Sequence, residues 1–188
     1  MLYLQIIPNL KIRVIQLHDK HFVPFISAAE IDRAVARLAE EVSNDMGEEV
    51  PVFIGVLNGA FMVASDFMKH YKKSCEISFA KLSSYEGTTS THNVKQLIGI
   101  NQDLTGRTVI IIEDIVDTGA TIEELKNMFE HKGVKNFRVI TLFFKPEAYT
   151  RNIAINYKGF EIANNFIVGY GLDYDGLGRN LPEIYQLQ

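Results

Sequence analysis

Cysteine is nearly absent: Cys75 is the single one in 188 residues, so no disulfide can form within the chain. That fits a reducing compartment, where thiols stay reduced, and Cys75 reads as a small buried hydrophobe. A basic excess is missing as well. The net charge is -4 and the pI about 5.7, so the broad attraction that carries nonspecific nucleic-acid binding has no source. The Lys69 to Lys73 cluster reads as a solvated helix end. No apolar run approaches the roughly 20 residues that span a bilayer as a helix. Met1 to Ile7 is apolar but runs into Pro8, Asn9, Lys11 and Arg13, with no basic start or small-residue cleavage site, and reads as a strand or a loose tail. These absences predict a cytoplasmic protein with a small-molecule ligand, no nucleic acid and no membrane.

Repeats, low-complexity tracts and Gly/Ser/Pro linkers are also lacking, so residues 1–188 are expected to form a single domain. With 47% hydrophobic residues the core needs no metal or disulfide staple. Ile12 to Leu17 and His21 to Phe25 flank His18-Asp19-Lys20 as a hairpin. Ser27 and Glu30 have capping-box spacing, and Ile31, Val35, Leu38 and Val42 recur at helical intervals, predicting a helix over 28–45. Strands are then expected at Val52 to Leu57, Cys75 to Leu82, Gln96 to Ile100, Thr108 to Ile112 and Phe137 to Phe144. Helices are expected at Ala60 to Tyr71 and Ile122 to His131. Apolar runs alternating with helices predict an α/β fold whose mostly parallel, twisted sheet is flanked by helices. Ligands in such sheets sit beyond the carboxyl ends of strands, so the loops after Leu57, Ile112 and Phe144 are the places for chemistry.

The second of these carries the most information. Val109 to Ile112 runs into Glu113, Asp114 and Asp117, then Thr118-Gly119-Ala120-Thr121 opens a helix. A helix start offers unpaired amides and a positive dipole end, Gly119 admits close approach, and two threonines add hydroxyls: together, a cradle for a phosphate. Carboxylates beside a phosphate repel it unless they serve ribose hydroxyls, a proton or a metal. The plainer reading is that Asp117 or Thr118 caps the helix while Glu113 and Asp114 are solvated, and spacing alone leaves both open. No Gly-Lys-Ser/Thr follows the glycine, so a kinase or GTPase loop loses its support.

Glu113 to Thr121 resembles the phosphoribosyl pyrophosphate signature of type I phosphoribosyltransferases, in the form carried by their hypoxanthine and guanine enzymes. The resemblance runs from Ile12 to Pro182. It implies a small hood formed by the N- and C-terminal segments, a Mg²⁺ cofactor, a 6-oxopurine acceptor and a homodimer or homotetramer. It also implies that Asp117 is the general base, with Thr118, Gly119, Ala120 and Thr121 on the ribose phosphate. Glu113 and Asp114 then lie on the ribose and metal side, and Asp173 is a further metal ligand beside the purine. Leu57, Asn58 and Gly59 correspond to the pyrophosphate loop, which often contains a cis peptide, and Arg179 to a pyrophosphate-binding arginine. Lys145, Phe166 and Ile167 correspond to purine contacts, and Ser84-Tyr85, within the polar loop Ser83 to Asn93, to a closing lid. Asn58 stands where many relatives carry lysine, Glu86 where a glycine is common, and Asp175-Gly176-Leu177-Gly178 where bulkier residues are usual. The alternative within the same fold is a regulatory protein that senses phosphoribosyl pyrophosphate.

Overall fold

A computed structural model describes residues 13–83, 95–98, 100 and 102–188. Its centre is the run that begins Thr-Val-Ile-Ile-Ile, whose β-branched residues suit a strand covered on both faces. This run forms β6 (Thr108–Val116), flanked by β3 (Val52–Leu57) and β7 (Asn136–Phe144). Farther out lie β4 (Glu76–Ser83) and β5 (Lys95–Ile98) on one side and β8 (Tyr157–Glu161) on the other, giving the order β5-β4-β3-β6-β7-β8. All neighbours are parallel except β5, which runs antiparallel to β4.

Successive residues of a strand point to opposite faces, and the core divides accordingly. Phe53, Ile110, Ile112, Ile140 and Leu142 pack against α1 (Ala28–Met46) and α2 (Phe61–His70). Val52, Ile54, Val109, Ile111 and Val139 pack against α3 (Ala120–Glu130) through Ile122, Leu125 and Phe129. In α1 the expected stripe Ile31, Val35, Leu38 and Val42 is buried, and each such side chain contributes about 1.5–3 kcal/mol relative to exposure. The capping box forms: Ser27 N–H donates to Glu30 Oε2 at 2.9 Å, and Ser27 Oγ accepts from Glu30 N–H at 3.4 Å. Cys75 is half-buried beside this core, and burial pushes its thiol up. Among the described residues no helix is long and apolar enough to cross a membrane.

The chain ends build the second layer. β1 (Ile15–Leu17) and β2 (Lys20–Ile26) form the expected hairpin about a two-residue turn, with Lys20 inside the second strand. β10 (Ile184–Leu187) pairs with β2 and with β9 (Ile167–Val168), so the hood is a four-stranded sheet, β1-β2-β10-β9. Phe22, Val168 and Tyr185 are fully buried in its small core.

The main correction concerns β6, which does not stop at Ile112. Glu113, Ile115 and Val116 pair with Thr141, Phe143 and Phe144 of β7. The neighbouring strand supplies ladder partners, and pairing overrides the poor strand preference of two acidic residues. The loop therefore begins after Val116, and Glu113 and Asp114 are buried rather than solvated. Leu57 and Phe144 do end their strands as expected. Met1 to Ile7, the proposed lid residues Ser84 and Tyr85, and Glu86 lie outside the described residues.

Candidate active site

Three parallel strands deliver the central side chains. Val116 ends β6, Phe144 ends β7 in register with it, and Lys145 N–H donates to Val116 O at 3.0 Å. Asp117 and Lys145 thereby emerge side by side. Lys145 Nζ is 3.1 Å from Asp117 Oδ2; the lysine is buried, while the aspartate side chain is 45% exposed and open to the cleft.

The helix starts at Gly119, the N-cap of α3 at φ 84°, which has no side chain to cap with. Thr118 Oγ1 accepts from Ala120 N–H at 3.4 Å, one residue before the N-cap. Of the two capping candidates that the sequence left open, Asp117 bonds Lys145 instead and Thr118 holds this one amide. The first helical bond runs from Glu123 N–H to Gly119 O, so the amides of Thr121 and Ile122 precede the first intrahelical donor and are left without a partner inside the helix. A Cβ on Gly119 would lie 2.4 Å from Tyr149 Cε2, so Tyr149, which the sequence reading missed, backs the turn. Arg151 does the same for the first turn of α3, its Nε 3.0 Å from Glu123 Oε2 without hydrogen-bond alignment.

Asp114 faces the other way. A Cβ on Gly59 would fall 1.7 Å from Asp114 Oδ2, so the Leu57-Asn58-Gly59 turn sits directly on this carboxylate, and the Leu57–Asn58 peptide is cis. Burial raises Asp114 to about 6, opposed by the Ile115 N–H that donates to Oδ1 at 2.9 Å and by Arg179. Glu113 is pushed well up by burial and then by the Asp114 charge, and its Oε2 is buried without a hydrogen-bond partner among the described residues.

The hood supplies the opposite wall. Phe166 is 45% exposed, its ring edge-on to Tyr174 with centroids 5.8 Å apart, while Ile167 is buried. Arg179 Nη2 reaches Asp173 Oδ1 at 2.6 Å, Asp173 Oδ2 accepts from Gly176 N–H at 2.8 Å, and Arg179 Nη1 donates to Gly171 O at 2.6 Å. A Cβ on Gly171 would meet Gly59 O at 2.1 Å, so this loop rests on the Leu57-Asn58-Gly59 turn. Tyr170 O–H donates to Asp66 Oδ2 of α2 at 2.6 Å and ties the same contact together, a pair absent from the sequence reading.

These walls enclose a cleft of about 370 Å³ lined by Gly59, Asp114, Asp117 and Lys145 below and by Phe166, Ile167, Asp173 and Arg179 above. A smaller pocket of about 100 Å³ lies against Glu113 and the Thr118 to Ile122 turn. The two share Ile115 and Asp117. Leu57 and Asn58 line neither. Among the described residues no three His, Cys, Asp or Glu side chains group into a metal cage. Asp114 and Asp173 do offer hard oxygen donors in the cleft, the set that suits a divalent cation completed by ligand oxygens and water.

A family model for the phosphoribosyl transferase domain matches residues 27–175. The chain is 40% identical over 159 residues to the hypoxanthine-guanine phosphoribosyltransferase of Streptococcus pyogenes, covering 84% of this chain and 88% of that protein. With the enzyme of the same name from Bacillus subtilis it shares 38% over 168 residues, 89% of this chain and 93% of that one. A solved hypoxanthine-guanine phosphoribosyltransferase from Bacillus anthracis superposes with a TM-score of 0.82 at 38% identity, covering 88% of this chain and 98% of that structure.

Proposed function

The chain belongs to the phosphoribosyl transferase domain family, and from that premise we propose that it is a purine-salvage enzyme. It transfers phosphoribosyl from phosphoribosyl pyrophosphate to hypoxanthine and/or guanine, giving the nucleoside monophosphate and pyrophosphate. The observation that carries the reading is the meeting of cleft and phosphate pocket at Asp117. A ribose bridging the two has its phosphate on the Thr118 to Thr121 amides and hydroxyls and its anomeric carbon beside the cleft. Phe166 stacks on the base, backbone groups at Ile167 meet its edge, and Lys145 donates to the 6-oxo oxygen. Asp117 accepts the ring-nitrogen proton as that nitrogen bonds to the anomeric carbon and the pyrophosphate oxygen departs. The Leu57-Asn58-Gly59 amides and Arg179, whose guanidinium fork suits phosphate oxygens, hold the leaving pyrophosphate.

Asp114 and Asp173, with Glu113 behind, would hold Mg²⁺, which when bound would supply positive charge for the departing group. Burial favours protonated Glu113, which makes Asp114 the more available anionic donor of the pair. Asn58 adds a hydrogen bond to the pyrophosphate loop without charge. Ser84 and Tyr85 complete the reading as the lid, and a cytoplasmic homodimer or homotetramer as the assembly. The test is nucleotide formation from phosphoribosyl pyrophosphate and Mg²⁺ with hypoxanthine, guanine and xanthine offered separately. Turnover on hypoxanthine or guanine is expected. Donor binding without turnover on any base would instead favour the regulatory reading.

A further inference from the structure

Lys145 has a second partner. Its Nζ lies 3.3 Å from Asn164 Oδ1, and Asn164 follows β8, which flanks β7 on the side opposite β6. The backbone explains why. Ile162 N–H donates to Phe144 O at 2.9 Å, just as Lys145 N–H donates to Val116 O at 3.0 Å, so three adjacent strand ends are stitched in register. β6, β7 and β8 thus each deliver one polar side chain to the carboxyl edge of the sheet: Asp117, Lys145 and Asn164. The chain then folds tightly about Asn164, where Asn165 N–H donates to Ala163 O at 2.7 Å, before it enters the Phe166-Ile167 wall.

We infer that Asn164 is a positioning residue for Lys145, and hence for recognition of the 6-oxo group; the inference rests on the phosphoribosyl-transfer reading above. An ammonium has three donors. Among the described residues one goes to Asp117 and one to Asn164, leaving the third for the cleft that Lys145 lines. Once Asp117 has accepted a proton from the base it has lost its charge, and its bond to Lys145 weakens. Asn164 gives the ammonium a partner that does not change through that step, so Lys145 stays in place with its third donor on the purine oxygen. The neutrality of the amide matters. A carboxylate at 164 would put two anions on one ammonium and leave the cluster with no net positive charge to offer a carbonyl oxygen.

The test compares Asn164→Ala and Asn164→Asp with the wild-type protein, measuring KM for hypoxanthine and for phosphoribosyl pyrophosphate, and the Tm of each. Hydrogen bonds to charged groups convert to about tenfold or more in affinity, so Asn164→Ala is expected to raise the hypoxanthine KM by about tenfold. Asn164→Asp is expected to raise it further, with the donor KM within about twofold and Tm unchanged in both. In a Lys145→Gln background Asn164→Ala should have no further effect, which a purely structural role would not produce. Wild-type turnover with hypoxanthine KM unaltered in both variants, with both KM values rising together, or with effects that add in the Lys145→Gln background, overturns the inference alone. A wild-type protein that transfers phosphoribosyl to no base overturns the functional reading and the inference with it.

Discussion

Lys145 and Asp117 form an ion pair at 3.1 Å where the larger cleft meets the smaller pocket at the start of α3. Each partner therefore holds the other before any substrate is present. Lys145→Gln should raise the KM for hypoxanthine by about ten- to a hundredfold, the range of a charge-assisted hydrogen bond, while the KM for phosphoribosyl pyrophosphate changes little. Initial-rate kinetics with each substrate varied in turn separates the two. Because the Asp117 side chain is 45% exposed, water can solvate it once the lysine is gone, and the fold should survive.

Asp114 links the site to stability. Its folded value of about 6 exceeds the ordinary 3.8, so the folded protein binds this proton more tightly than the unfolded chain does. The stabilisation from protonated Asp114 is complete below about pH 4 and is lost as pH rises through 6. A shift of this size corresponds to about 3 kcal/mol at neutral pH. Asp114→Asn should stabilise the ligand-free protein by up to about that amount at pH 7.5, with the gain shrinking toward pH 4 and activity falling. Urea unfolding followed by circular dichroism at both pH values checks it.

Gly119→Ala would place a methyl 2.4 Å from the Tyr149 ring at a φ of 84° that side chains disfavour. The left-handed conformation alone costs roughly 1–2 kcal/mol, and the clash displaces the turn whose amides face the phosphate pocket. A lower Tm together with a raised KM for phosphoribosyl pyrophosphate is expected. A Tm loss with an unchanged donor KM would detach the turn from phosphate binding.

Metal removal should separate chemistry from folding. With no cage of three acidic or imidazole side chains among the described residues, the cation proposed at Asp114 and Asp173 would depend on the substrate to complete its shell. Chelation with EDTA should abolish transfer while leaving the Tm of the ligand-free protein unchanged. Unfolding on chelation would point to a structural metal instead.

Much of the fold was legible because burial imprints a period. The unbroken apolar run Val109 to Ile112 and the 3.6-residue stripe of α1 announce two covered sheet faces and an amphipathic helix. Short strands were less legible. Tyr157–Glu161 and Ile184–Leu187 have little pattern of their own and become strands by pairing with β7 and β2. The extension of β6 through Glu113 and Asp114 had the same cause, since local preference argued against two acids in a sheet and register with β7 prevailed.

At the site, the loop chemistry was readable and the supporting contacts were not. Gly119 at the helix start follows from residue types in sequence, and the resemblance singled out Lys145, Phe166, Asp173 and Arg179, which the fold brings to one cleft. Asn164, Tyr149 and the Tyr170–Asp66 bond depend on pairs brought together by strand order and hood docking, which no local pattern encodes. Asn58 remains the clearest departure from the family pattern, and the turn it occupies keeps its contact with Asp114 through Gly59.

The most direct measurement is the turnover of Asp117→Asn with hypoxanthine, phosphoribosyl pyrophosphate and Mg²⁺, beside the wild-type protein. Loss of a positioned general base typically removes about 10²- to 10⁴-fold, so kcat should fall by that factor while donor affinity, read by calorimetry, stays near wild type. Wild-type-like turnover in the variant would contradict the account, because the residue shared by the cleft and the smaller pocket would then have no part in the chemistry.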